Sequence, residues 1–286
     1  MKQFRGLPEK RMAMVYFTMA TILTLILIFP IYWMIISSFK GQAEIFAVKP
    51  TFFPKKPVLD GYIRMFTRIG SGVPFSATLR NSIIISLITM FITTVLAAPA
   101  AYALARFSYK FINKTVMFMF LISQMLPQVL FLAPLFIIFK GFNLQGTYFS
   151  PSIYVTLHSL PFSVLILRPY FMNIPKELED SAIIDGCNKL SCFIRIMLHL
   201  TYPIVIVVIA LSFLWGWGDL MGALTFINKP NMQPLTMNMF RAMANETMDW
   251  TMLMAFSAVI VVPATIVFLS LQRFIIGGLT AGAVKG

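Results

Sequence analysis

Four carboxylates crowd one stretch of this 286-residue sequence, Glu177, Glu179, Asp180 and Asp185, and Gly186 follows them at once. Such a cluster can meet a basic surface or, with softer ligands nearby, hold a metal. The softer ligands are too few. Beyond Cys187 and Cys192 the chain has only His158 and His199, far apart in sequence, whereas a structural zinc site takes four ligands from one neighbourhood. The two thiols read as packing residues and no metal site is expected. A second set of polar groups interrupts apolar sequence: Gln124, Gln128, Trp217 and Asp219. The two amides, four residues apart, share one helical face and can hydrogen-bond either solute hydroxyls or the backbone of a neighbouring helix. A carboxylate such as Asp219 costs about 2.5–3.5 kcal/mol at the centre of a bilayer on insertion scales, so it must face protein or water. It is either an ion-pair partner or part of a path for solute. No catalytic residue emerges: there is no His-Glu-x-x-His, no Ser/His/Asp set and no Gly-x-x-x-x-Gly-Lys-Ser/Thr phosphate loop.

The elements that would carry the acidic stretch can be read from its punctuation. Pro175 suits the first turn of a helix, and Glu177, Glu179 and Asp180 then lie near its positive end. Gly186 accepts the left-handed conformation that ends helices. A second helix can start near Asn188, and Leu190, Phe193, Ile194, Met197 and Leu198 then fall on one apolar face. Two short helices joined by a tight turn make either a rigid knob at a membrane surface or an ordinary amphipathic helix lying on the bilayer.

Composition places all of this in a membrane. With 58% hydrophobic and 12% charged residues and a mean hydropathy of +0.82, the chain cannot cover a soluble surface. Apolar runs long enough to cross about 30 Å of hydrocarbon cover residues 12–37, 81–105, 115–139, 151–170, 202–225 and 251–276, so six spans are expected. The first is too long for a signal-peptide core and reads as an uncleaved span. Thirteen of the 23 Lys and Arg residues fall in the N-terminal flank, the second and fourth connections and the tail, among them Lys2, Arg5, Lys114, Arg168 and Lys285. That bias puts both termini in the cytoplasm. The net charge of +13 is spread over these flanks without an aromatic-interleaved groove, which argues against nucleic acid. Small residues, Ala97, Ala98, Ala101 and their neighbours, predict that the second span packs centrally. Pro99, Pro127, Pro134, Pro161 and Pro263 predict kinks.

Residues Asp180, Ser181 and Ala182, then Gly186, Ile196 and Leu198, resemble the EAA loop of binding-protein-dependent ABC importer permeases, with His199 where that pattern carries Pro. Further stretches are similar to the maltose-type permease subunit of carbohydrate importers: Ala101 to Phe107, Gln124 to Pro127, Leu160 to Phe162, Ile174 to Glu179 and the ending Gly278 to Gly286. The resemblance covers about residues 81–286.

It implies one all-α transmembrane permease domain over 1–286: a core of about 81–276, a coupling loop of about 171–200, an exported loop of about 38–80 and a cytoplasmic tail of 277–286. It also implies a second homologous permease subunit, two ATP-binding subunits that use ATP and Mg, and an extracytoplasmic solute-binding protein. This chain itself would bind no cofactor. Glu179, Asp180, Ser181, Ala182, Asp185 and Gly186 would couple to the ATPase, and Gln124, Gln128, Trp217 and Asp219 would border the substrate path. The exported residues Asn228, Lys229, Asn231, Gln233, Arg241, Asn245 and Trp250 would meet the binding protein. The implied cargo is a sugar or oligosaccharide. Glycerol-phosphate or another polar solute, or ion-coupled transport, stay as alternatives. Ten basic against four acidic residues in the exported loops (Glu44, Asp60, Glu246, Asp249) fit an anionic cargo, an acidic binding protein or lipid headgroups alike.

Overall fold

The computed structural model describes residues 9–67, 73–107, 110–243 and 249–283, and of 9–11, 110, 271 and 273–283 the backbone alone. Lys2, Arg5, Asn245, Glu246 and Lys285 therefore lie outside the described residues. Along the chain run α1 (Glu9–Ser37), α2 (Gln42–Ile45), α3 (Asp60–Thr67), α4 (Phe75–Arg106), α5 (Lys110–Met125), α6 (Leu132–Gly141) and α7 (Phe149–Asn173). Then come α8 (Lys176–Ile184), α9 (Lys189–Cys192), α10 (Leu198–Leu200), α11 (Tyr202–Gly218), α12 (Met221–Phe226), α13 (Leu235–Met243) and α14 (Trp250–Ala283). No strand occurs among the described residues.

Four stretches are continuous helices long and apolar enough to cross a membrane: Met12–Ser37, Phe75–Arg106, Phe149–Asn173 and Trp250–Ser270. The expected spans 115–139 and 202–225 fall within bent pairs, the first broken inside the span and the second where the expected loop meets it. Phe111–Met125 meets Gln128–Gly141 at 101°, and Lys189–Leu200 meets Tyr202–Gly218 at 85°. Six spans result if each bent pair counts as one. The first break falls at Leu126-Pro127, where the proline ring disfavours helical backbone at the preceding residue. Pro134 sits in the first turn of α6 and kinks nothing there, while Pro30, Pro99, Pro161, Pro169 and Pro263 stay inside continuous helices. The last helix also runs on through the expected tail as far as Ala283.

The chain divides into two compact units, and residues 69–241 and 260–286 form the larger. In it α4 and α7 lie alongside each other and α11 packs on both. Small side chains allow this: Ala97, Ala98 and Ala101 are buried against Val164, Leu167, Phe171 and Val208. A Cβ added to Gly216 would come within 2.8 Å of the Ser86 Cα, so α11 can approach α4 this closely only with glycine there. A seam of hydroxyls threads the same contact. Thr93 Oγ1 and Ser159 Oγ lie 2.8 Å apart across α4 and α7, and Ser163 Oγ donates to the Ser159 carbonyl at 2.7 Å. Most of these hydroxyls bond within their own helix, which satisfies them without widening the gap between helices.

The smaller unit comprises residues 1–68 and 242–259. The described side chains of α1 are mostly exposed, and its most apolar window buries none of them. The connection that follows is ordered by polar bonds. Lys40, 2% exposed, donates its Nζ to the Thr51 carbonyl and lies over the Trp33 ring, 4.3 Å from its centroid. Thr51 Oγ1 at 2.7 Å and the Lys55 amide at 3.0 Å both donate to Glu44 Oε1, and they hold that carboxyl below its ordinary value. Arg64 pairs with Asp249 at 2.5 Å, and Asp249 Oδ1 accepts from the Met252 amide at 3.1 Å beside the start of α14. Lys40 and Arg64 are thus engaged within the chain, but the expected basic surplus stands, because Arg64 pairs with one of the four acidic residues counted against it and Lys40 contacts neutral groups.

Candidate coupling loop and pocket

The acidic stretch folds as a helix, a turn and a second helix. Pro175, with φ −55° and ψ 138°, leads into α8, whose first turn carries Glu177 and Glu179. The helix closes through two bonds: the Gly186 amide donates to the Ile183 carbonyl at 3.0 Å, and the Cys187 amide to the Ala182 carbonyl at 2.9 Å. That pair is a Schellman closure, which needs a left-handed residue, and Gly186 supplies it at φ +90°. A Cβ at Gly186 would meet nothing within 4 Å, so inside this chain the glycine serves its backbone and not a close contact. Asn188 Oδ1 then accepts from the Ser191 amide at 2.7 Å and caps α9.

The expected apolar face of the second helix is split. Phe193 and Met197 are buried, but Leu190 is 66% and Ile194 54% exposed. The cause is a five-residue π turn over Phe193–Met197. The wider turn brings Cys192 and Met197, five apart, onto the buried side with Phe193, and leaves Leu190 and Ile194, four apart, on the open side.

The six expected coupling residues also divide. Asp180, Ser181, Asp185 and Gly186 are exposed, next to Ile184, which is 85% exposed. Ala182 is buried, and Glu179 turns inward. Glu179 pairs with the Nε of Arg106 at the end of α4, and Tyr102 donates its hydroxyl to the second carboxylate oxygen at 3.1 Å. Arg106 also donates to the Ile174 carbonyl at 2.9 Å, just before α8. Tyr102 stands against Phe171 and Phe193, with ring centroids 5.7 and 5.0 Å away. The ion pair is nearly buried, its side chains 8% and 14% exposed, and each partner makes further bonds. Removing one member of such a pair strands the other, at a cost of about 3–5 kcal/mol. Glu179 thus fastens the loop to α4 and presents nothing outward.

Farther along the same helices lies a cavity of about 410 Å³ lined by Gln128, Tyr154, His158, Trp215, Asp219 and Met221, among others. The break at Pro127 throws Gln128 out at the start of a short 3₁₀ turn, where its Nε2 donates to the Tyr154 carbonyl at a long 3.5 Å. Tyr154 and His158 stand one turn apart on α7, and Trp215 and Asp219 one turn apart at the end of α11. Trp215 packs edge-on against Phe162 and His158, with centroids 5.2 and 6.2 Å away. The Asp219 carboxylate accepts from the amides of Gly222 and Ala223, each at 3.2 Å. It therefore caps the turn into α12 and forms no salt bridge among the described residues. An aromatic face flanked by an amide, an imidazole and a carboxylate can stack on and hydrogen-bond a polar ring.

Two of the four expected pathway residues are elsewhere. Gln124 Nε2 donates to the His158 carbonyl at 3.0 Å and does not line the cavity. Trp217 is 4% exposed, and its Nε1 donates to the Ile260 carbonyl at 3.0 Å. Trp215 and Trp217 are two residues apart, hence about 200° around the helix, so only one can face the cavity. The four-residue spacing from Asp219 back to Trp215 was the signal that separates them. Of the segment expected to be exported, Gln233 is buried and tied to the core, because Asn81 Nδ2 donates to the Asn231 and Gln233 carbonyls at 2.9 and 3.0 Å.

Residues 97–280 match the family described as the binding-protein-dependent transport system inner membrane component. The sulfoquinovosyl glycerol transport system permease protein SmoH of Agrobacterium fabrum is 32% identical over 94% of this chain and 93% of its own. The trehalose/maltose transport system permease protein MalG of Thermococcus litoralis is 31% identical over 93% of this chain and 95% of its own. The diacetylchitobiose uptake system permease protein DasC of Streptomyces coelicolor is 30% identical over 93% and 95%. A chain from a bacterial ABC transporter involved in the import of the acidic polysaccharide alginate superimposes with a TM-score of 0.76 at 18% identity, covering 94% of this chain and 98% of that one.

Proposed function

The chain belongs to the binding-protein-dependent transport system inner membrane components, and from that premise we propose that it is the permease subunit of an ATP-driven importer of a sugar or oligosaccharide. One observation carries the mechanism: the Arg106–Glu179–Tyr102 anchor joins the exposed loop to α4, the helix that packs along α7 and α11, which line the cavity. A push on the loop then moves rigid helices rather than a slack linker.

In this reading the loop end and both termini are cytoplasmic. Separate ATPase subunits, which bind the ATP and Mg, dock on Asp180, Ser181, Ile184, Asp185, Gly186, Leu190 and Ile194. A second permease subunit completes the path, and an extracytoplasmic binding protein delivers the cargo. Two states of the pair alternate, and nucleotide selects between them. The cavity contributes Trp215 as a stacking face, with Gln128, His158 and the Asp219 region as hydrogen-bonding groups for hydroxyls. Relatives named for sulfoquinovosyl glycerol, diacetylchitobiose and trehalose/maltose support a carbohydrate cargo.

The test is reconstitution of the permease pair, ATPases and binding protein in proteoliposomes, with Glu179→Ala compared to the parent. Uptake should fall at least tenfold while ATPase subunits still co-purify, because the outward face is unchanged. Unimpaired uptake in this variant would remove the anchor from the coupling route.

A further inference from the structure

Neither the loop nor the cavity accounts for a second hollow, a groove of about 850 Å³ between α5 and the end of α7. One face of α5 supplies Phe111, Lys114, Phe118 and Leu121, spaced three, four and three residues apart, and α7 supplies Arg168. No carboxylate lines the groove. Arg168 is held in place by its Nε, which donates to the Leu104 carbonyl at 3.2 Å. Among the described residues neither Arg168 nor Lys114 has an acidic side chain within ion-pairing distance. Both cations lie toward the loop end of the molecule: Lys114 is one turn from the start of α5, and Arg168 five residues before the end of α7. From Lys114 the apolar stripe runs seven residues to Leu121, about 10 Å of trough at 1.5 Å per residue.

Two unpaired cations at the mouth of an apolar trough fit an anion with a hydrocarbon tail. We propose that this groove holds an acidic phospholipid of the cytoplasmic leaflet, with its phosphate between Lys114 and Arg168 and an acyl chain along Phe118 and Leu121. The assignment of leaflet rests on the orientation given under Proposed function. A free phosphate would use the cations and leave Phe111, Phe118 and Leu121 bare, whereas a lipid satisfies both halves of the groove. Basic pockets between spanning helices on the cytoplasmic side are suited to such headgroups.

The experiment uses the complete assembly, extracted in mild detergent with phosphatidylcholine and phosphatidylglycerol supplied at known ratio, and counts retained lipids by native mass spectrometry. Each basic residue near an anionic surface is worth about a fivefold change in affinity. Lys114→Gln should therefore weaken phosphatidylglycerol retention about fivefold, Lys114→Arg should preserve it, and phosphatidylcholine should stay unchanged. Lys114 is exposed and among the described residues its side chain forms no ion pair, so this variant does not threaten folding. Arg168→Gln, which gives up the Leu104 contact, is read only alongside it. Leu121→Asn should lower retention of the lipid, and excess glycerol phosphate should fail to displace it. Equal retention in parent and Lys114→Gln, displacement by glycerol phosphate alone, or a cross-link from position 121 to the second permease with no lipid retained would each overturn the proposal. Lipid counting does not depend on transport, so a failed importer reading appears as lost uptake or ATPase docking and leaves this result separate.

Discussion

Replacing Gly186 tests whether the loop's shape is what an ATPase meets. The residue sits at φ +90° inside the closure formed by the Gly186 and Cys187 amides, and its missing Cβ would touch nothing within 4 Å. The cost of Gly186→Ala is therefore backbone strain alone, about 1–2 kcal/mol for an L residue in the left-handed region. If the chain relieves that strain by opening the turn, the competent loop is depleted by up to about 5–30-fold, and apparent ATPase affinity falls by the same factor. Gly186→Asn should recover part of the loss, since Asn tolerates left-handed backbone, and Gly186→Val should be worse than Ala because β-branching stiffens the side chain. The assay is titration of the purified ATPase onto the permease pair in nanodiscs, with apparent Kd as readout. The order Gly, Asn, Ala, Val in falling affinity is expected. If Ala and Asn both bind like the parent and only Val fails, bulk at the interface decides and the backbone argument is wrong.

Trp215→Ala should lower sugar uptake with assembly intact, whereas Trp217→Ala should cut the yield of folded assembly, because emptying a site only 4% exposed costs about 3–5 kcal/mol; comparison of uptake and size-exclusion yield separates the two. Cys187, half-buried, should react with a maleimide before Cys192, which is 2% exposed, and equal rates in the folded assembly would contradict the inward face of the π turn. The depressed Glu44 carboxyl gives its loop a stabilisation that is present above the ordinary carboxyl range and lost as pH falls through the folded value. The protection of the amides of residues 44–55 from hydrogen exchange, taken relative to their intrinsic rate at each pH, should accordingly fall in acid, and Glu44→Gln should flatten that dependence.

Much of the loop is legible because its signals are local. Pro175 starts a helix, Gly186 ends it, and Asn188 caps the next, each through groups within five residues in sequence. The central position of α4 is legible too, since a run of alanines has little use except close approach. The π turn at Phe193–Met197 left no such mark. It shifts the helical register by one residue, which is enough to exchange Ile194 for Cys192 on the buried face, and periodicity at 3.6 residues cannot register it.

The cavity was half legible for a related reason. Proline at 127 breaks its helix while prolines at 30, 99, 161, 169 and 263 do not, so the ring alone cannot explain the break. What differs is what lies around it. At Pro99 the helix is flanked by buried Ala97, Ala98 and Ala101 packed against α7, contacts that a bend would pull apart. At Pro127 no buried side chain lies between Phe111 and Leu132, and the chain that leaves the helix there regains partners through Gln124 and Gln128, which donate to the His158 and Tyr154 carbonyls of α7. The same two glutamines that the sequence offers as solute ligands are thus divided by the bend. One holds the upstream helix to α7, and the other follows the break to the cavity wall. A single turn of sequence serves both as glue and as lining, and only the tertiary packing of α5 and α7 assigns which amide does which.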